Sequence, residues 1–199
     1  MARRADHSRE ELAALVIETA EKQIAEQGID EFSARSLSRE IGYTPGTLYH
    51  HFRDLDDIVT QVNSRTLGRL AEFFAGLKRS RDPKKMLHIY GDAFLEFTST
   101  NRNLWTALFE FRRAAGVEVP SWYVETIAGL IGILAKCFSE IRPDVPQKIA
   151  IETGQLIFAS IHSVVSLESS GRLRLVFSRN IKAIVHDLID THITAYAAR

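Results

Sequence analysis

From residue 55 to residue 77 one face of the chain stays apolar. Leu55, Ile58, Val59, Val62, Thr66, Leu70, Phe73, Phe74 and Leu77 recur at steps of three and four. Only an α-helix brings that spacing onto a single side. A helix of this length predicts a connector between an N-terminal head and a larger body. The same rhythm governs the rest of the chain. Ser8-Arg-Glu-Glu11 reads as a capping box ahead of Leu12, Val16, Ala20 and Ile24, and Gly28 is placed to end that helix. Ser33 opens a short second helix with Leu37 and Ile41 inward, and Gly42 ends it. Asp82 and Pro83 start a fifth helix after "RSRDPKK". Leu87, Tyr90, Phe94 and Phe97 form one stripe, and Leu104, Trp105, Leu108 and Phe109 another. Residues 145–169 and 174–197 read as two long closing helices. No stretch alternates with period two, so the fold class is all-α: a three-helix head, a fourth connector helix and a C-terminal helical bundle.

Within that plan "YTPGTLYHHF", residues 43–52, is the unusual stretch. Thr44 suits an N-cap and Pro45 the first helical position, so the turn signal marks a helix start. Leu48 and Phe52 share one face, which leaves Gly46, Thr47, His50 and His51 on the opposite arc and Tyr49 at the border. A helix with a core face two residues wide shows most of its circumference to the outside. Joined through Gly42-Tyr43 to the helix before it, it forms a helix-turn-helix over about residues 33–52. The second helix of such a motif enters the DNA major groove by its N-terminal end. Gly46 allows close backbone approach, and Thr47, His50 and His51 carry hydrogen-bonding groups. Arg35 is placed to reach phosphate or a guanine edge.

Charge agrees locally. The chain has 25 basic and 25 acidic residues among 199. Residues 1–32 hold four Arg or Lys against eight Asp or Glu. Residues 33–53 hold Arg35, Arg39 and Arg53 against Glu40 alone, with His50 and His51 beside them.

"FSARSLSREIGYTPGTLYHHFRDLDDIV" resembles the DNA-binding head of TetR-family transcriptional regulators. The resemblance rests on Ile41, Gly42, Leu48, Tyr49 and Phe52, and covers residues 8 to about 60. It implies a DNA-binding domain over 8–68 and an effector-binding and dimerisation domain over 83–199. It implies that Arg35 contacts bases or phosphate, and that Thr44, Pro45, Gly46 and Thr47 begin the recognition helix. Tyr49 and His51 would touch the DNA backbone, and His50 a base edge or sugar. One departure stands out: Leu55 occupies the place where the family commonly has a phosphate-binding Lys, among Asp54, Asp56 and Asp57, with Arg53 as the nearby substitute cation. "LWTALFEFR" and "FASIHSVVSLESSGRL" are also similar to a subgroup marked by Trp-His-Gly; here the triplet is Ile161-His162-Ser163.

The expected partners are a near-palindromic DNA duplex, a second copy of the chain and a small-molecule effector. Ile149, Ile151, Leu156, Ile157, Phe158, Ile161, Val164, Val165 and Leu167 make the penultimate long helix apolar on more than one face, which predicts a homodimer through the last two helices. Tyr90, Phe94, Phe97, Trp105, Phe109, Trp122, Tyr123, Phe158 and His162 are the candidate residues around a mainly apolar, neutral effector. The function expected is that of a repressor released from its operator by that molecule.

Other chemistries have weaker support. The chain has no Gly-rich phosphate loop and no His-Glu-x-x-His. His186 and His192 are six apart, and His186 and Asp190 read as surface, so neither metal nor cofactor is expected. Cys137, the single cysteine, excludes a disulfide framework and reads as a packed thiol. No secretory signal and no run of about 18 apolar residues is evident, which predicts a cytoplasmic protein with no membrane partner. The competing readings are a helical interaction module with a vestigial helix-turn-helix, and a small helical enzyme. Salt-dependent duplex binding separates the first from a regulator.

Overall fold

The computed structural model describes residues 8–110 and 119–199. Its elements are α1 (Arg9–Gln27), α2 (Ala34–Ile41), α3 (Pro45–Leu48), α4 (Leu55–Ala75), α5 (Pro83–Thr100), α6 (Arg102–Glu110), α7 (Ser121–Ile141), α8 (Gln147–Ser169), α9 (Leu173–Val176) and α10 (Ile181–Ala197). No strand occurs among the described residues. The all-α expectation holds. The end of the "LWTALFEFR" stretch, residues 111–112, lies outside the described residues.

The helix starts follow the capping signals. Ser8 and Glu11 form the reciprocal capping box of α1. Ser33 caps α2 by accepting from the Ser36 backbone N–H at 3.1 Å. Asp54 Oδ1 accepts from the Asp57 N–H at 2.8 Å where α4 begins, and Asp82 Oδ1 from that of Lys84 at 2.9 Å at the start of α5. Gly42 ends α2 with φ of 77°, a left-handed conformation that glycine adopts without steric cost.

Two compact units emerge. The head comprises residues 8–66 together with 101–110, and the body comprises Leu67–Thr100 and Val119–Arg199. α4 contributes to both. This division differs from the expected 8–68 and 83–199, because α6 packs with the head. Leu104 and Ala107 of α6 are buried in the same core as Val16, Ala20 and Ile24 of α1 and Val59 and Val62 of α4. Polar bonds reinforce the fit: Asn103 donates to the Ala25 carbonyl at 2.8 Å, and Asn63 to that of Ala107 at 3.4 Å.

The body is built on α5, α7, α8 and α10. α8 lies so close to α7 that a Cβ on Gly154 would stand 3.2 Å from the Ile131 carbonyl oxygen. Ile157, Ile161, Val164 and Val165 of α8 are buried, as are Ile184, Val185 and Ile189 of α10. By length and mean composition alone α8 is apolar enough to cross a membrane. It holds no unbroken apolar run of about 18 residues, in line with the expectation, because Gln155, Ser160 and Ser163 among others interrupt it.

The last helix is shorter than the sequence suggests. Residues 174–180 do not belong to it. Asn180 caps α10 by accepting from the Ala183 N–H at 2.9 Å, and α9 is a separate single turn whose Leu175 is 82% exposed. The Ser178-Arg179-Asn180 cluster breaks the run because a capping side chain competes with helix continuation.

Candidate nucleic-acid interface

α2 and α3 form the helix-turn-helix. Leu48 is 1% exposed and Phe52 is buried beside it, so this pair anchors the segment to the head core. The α-helix proper ends at Leu48, with Tyr49 as its cap, earlier than the spacing to Phe52 suggests. The chain nonetheless keeps its coil: the Phe52 N–H donates to the Leu48 carbonyl at 2.9 Å. The short core face explains this, since Leu48 and Phe52 are the only two apolar anchors in the turn.

The expected outward arc is only partly open: Gly46 and His50 face solvent, whereas Thr47 and His51 do so in part. Thr44, Pro45, Gly46 and His50 are exposed, Tyr49 is 47% exposed, and Thr47 and His51 are half-buried. A hydrogen bond of 3.0 Å joins the Thr44 and Thr47 hydroxyls, and Thr44 Oγ1 also accepts from the Thr47 N–H at 3.4 Å. Thr47 is thereby held in one orientation at the surface. A Cβ on Gly46 would meet nothing nearer than 3.8 Å, so the backbone there is open. Arg35 is exposed one position into α2.

Two further groups shape this surface. Gln23 of α1 is buried and clamps α2: it accepts from the Ser36 hydroxyl at 3.1 Å and donates to Glu40. Sequence reading missed it, although Gln23 falls three residues after Ala20 and seven after Val16, on the inward face of α1. The second is Arg53, the substitute for the absent Lys. Its Nε donates to Asp54 Oδ2 at 2.8 Å, which raises the guanidinium pKa and lowers that of the carboxyl. This exposed pair exchanges readily with other partners.

The candidate effector residues fall in both units. Trp105 and Phe109 belong to the head, with ring centres 5.3 Å apart. The other seven belong to the body. There Phe94 meets Phe158 edge-on at 6.1 Å, and Phe158 stacks on His162 at 5.9 Å. Burial lowers the His162 pKa, so its ring is a neutral hydrogen-bonding group at pH 7. Phe97 leans on Phe73 at 6.1 Å, Tyr90 on Phe74 at 5.0 Å, and Trp122 on Tyr123 at 5.8 Å. Among the described residues no three His, Cys, Asp or Glu side chains are arranged to hold a metal ion. His186 bonds Asp92 at 2.8 Å and His88 bonds Asp190 at 2.9 Å, each across α5 and α10.

Two short helices, the second capped and mostly exposed, define a helix-turn-helix head in an all-α chain. Residues 16–62, within the head, match the family "Bacterial regulatory proteins, tetR family". An HTH-type transcriptional regulator of Staphylococcus aureus (strain bovine RF122 / ET3-1) is 30% identical over 88 residues, 44% of this chain. The match spans about half of that regulator, 48% of its length. Over nearly the whole chain the fold is that of known structures. A Rhodococcus sp. RHA1 protein of unknown function has a TM-score of 0.74 at 20% identity, covering 98% of this chain and 100% of that one. FadR from Bacillus subtilis, solved with stearoyl-CoA, has a TM-score of 0.67 at 17% identity and coverages of 91% and 97%. BioQ, solved on its double-stranded operator, has a TM-score of 0.66 at 17% identity and coverages of 94% and 98%.

Proposed function

We propose that this chain is a DNA-binding transcriptional regulator of the TetR type, not an enzyme, acting in the cytoplasm as a homodimeric repressor. The observation that carries the reading is the short α3, anchored by Leu48 and Phe52 and presenting Thr44, Pro45, Gly46, Thr47, Tyr49, His50 and His51 outward beside Arg35. BioQ on its operator is a precedent for the same fold on duplex DNA. A twofold dimer reads a near-palindrome with half-sites about 34–36 Å apart or a multiple of that. Thr47 and His50 read bases, and Tyr49 and His51 hold the backbone. Arg35 makes a base or phosphate contact worth roughly 1–3 kcal/mol if bidentate.

The dimer forms through α8 with α10 beside it. α8 presents Leu156 outward while Ile157 and Ile161 face the body. α10 spends its broad apolar stripe on the body and shows Asp187, Asp190, Thr191 and Thr194 outside, which supports α8 as the main apolar contributor. The effector is a small, mainly apolar molecule bound against the Phe94–Phe158–His162 rings. The stearoyl-CoA complex of FadR is a precedent for a ligand in this fold. Such a ligand releases DNA only if it binds the released state more tightly than the DNA-bound one.

The test is a mobility-shift titration of the purified protein on the DNA flanking its own coding region, repeated over a salt series. A regulator shows a steep loss of affinity with salt. Thr47→Ala and His50→Ala relax base preference, Tyr49→Phe weakens binding evenly, and Arg35→Ala weakens it most. If all four variants bind as the parent does, the assigned surface is wrong. Binding without salt dependence would instead favour a protein-interaction module.

A further inference from the structure

A cavity of about 170 Å³ opens on the surface of the body, between the turn that follows α4, the first half of α5 and the end of α7, with the exposed Arg79, Lys136 and Glu140 at its mouth. It is smaller than the roughly 300–1,000 Å³ pockets that hold drug-sized ligands. Tyr90 is the one residue it shares with the ring set above.

The polar groups around it are unevenly matched. Tyr90 is 2% exposed, and its hydroxyl oxygen accepts from Arg79 Nη1 at 3.2 Å. The hydroxyl hydrogen is therefore still to be donated, and among the described residues nothing accepts it. Arg79 forms no ion pair among the described residues, so its remaining N–H groups are also available. Lys136 is the second cation of the lining. The single carboxylate there, Glu140, lies 4.0 Å from the Lys136 ammonium. The buried phenolic hydrogen calls for an acceptor, and the exposed Arg79 guanidinium beside it is free to meet an anion at the cavity mouth. Met86 and Ile133 supply apolar wall. Burial pushes the Cys137 thiol up to about 11, so this wall position is neutral.

We propose that the cavity binds a small organic carboxylate. The carboxylate takes the Tyr90 O–H and the Arg79 guanidinium, and the hydrocarbon lies against Met86 and Ile133. An Arg–carboxylate pair is among the stronger hydrogen-bonded contacts, with geometry that a neutral amide does not reproduce. The site is separate from the surface assigned to DNA and does not depend on that reading.

Cys137 makes the test direct, since it is the only cysteine and it lines the cavity. The rate of its alkylation by iodoacetamide at pH 9 is measured in the full-length protein against rising benzoate. Benzoate slows the reaction saturably, while the isosteric neutral benzamide does not. Arg79→Gln and Tyr90→Phe, which keep the fold by circular dichroism, each raise the half-protecting benzoate concentration about tenfold or more. Phe158→Leu, in the ring cluster, leaves it unchanged. Equal protection by benzamide, no protection by benzoate, or an unaltered response in both cavity variants overturns the proposal. None of these readouts involves DNA, so a failure here and a failure of the DNA-binding reading are distinguishable.

Discussion

Leu156 offers the most quantitative test of the dimer. It sits on α8, 57% exposed, with Ala159 and Ser163 exposed three and seven residues further along the same side. Leu156→Ala leaves the body core untouched, because the neighbouring Ile157 carries the inward contact at 1% exposure. Fully burying a leucine contributes about 1.5–3 kcal/mol. The fraction still open to a partner is 57%, which corresponds to about 1–1.7 kcal/mol per copy. A twofold interface uses each patch twice, so the dimer loses about 2–3.4 kcal/mol. At about 1.4 kcal/mol per tenfold, the dimer Kd rises about 30- to 300-fold. Sedimentation velocity over a dilution series measures it directly. Leu156→Glu goes further, since two carboxylates then face each other across the axis. DNA affinity falls in parallel, because a monomer engages one half-site. If both variants dimerise with the parent Kd and keep their circular dichroism, α8 is not the interface.

Other outcomes follow from the same packing. Gly132 and Gly154 respond oppositely to alanine in urea denaturation. A Cβ on Gly132 meets nothing within 4 Å, so Gly132→Ala stabilises by about 0.5–1 kcal/mol. On Gly154 it presses on the backbone of Ile131 and Ala135, and overpacking of about 1–3 kcal/mol outweighs that gain. Asp92 gives a pH signature. Burial pushes its pKa up, but hydrogen bonds from Lys182 and His186 outweigh that and hold it below the usual carboxylate value. A depressed folded pKa contributes stability above the unfolded value and loses it as pH falls through the folded one. Asp92→Asn therefore melts earlier than the parent at pH 7, and the difference narrows below about pH 4.

How much of this was legible in the sequence depends on how far each signal reaches. Ser8, Ser33 and Asp82 act on backbone groups two or three residues away, so their caps could be read directly from neighbours in the chain. The outward arc of α3 was legible for the same reason, since two anchors and a helical angle determine it. The destination of α6 was not. The stripe of Leu104 and Trp105 announces a buried face without saying which face receives it, and α1 accepts it through contacts nearly 80 positions away, such as Asn103 to Ala25. The start of α10 was lost in a different way. Its apolar residues keep helical phase back to Leu175, and only the Asn180 side chain, capping Ala183, interrupts them.

The ring set shows where periodicity stops being informative even when the helix is right. Tyr90, Phe94 and Phe97 do share one buried stripe of α5. Each nevertheless meets a different partner: Tyr90 meets Phe74, Phe94 meets Phe158, and Phe97 meets Phe73. A stripe is several turns long, and each turn faces its own neighbour. Stacking along one helix therefore predicts burial without predicting a shared pocket. The polar tip decides what each ring can do. Phe94 can offer a ligand only its face and edge. The Tyr90 hydroxyl, turned toward Arg79, converts its end of the stripe into a hydrogen-bonding site. Tyr90→Phe and Phe94→Leu should accordingly separate two activities. The first impairs carboxylate binding with little change in melting temperature. The second creates a defect beside Phe158 that apolar ligands feel and benzoate at Arg79 does not.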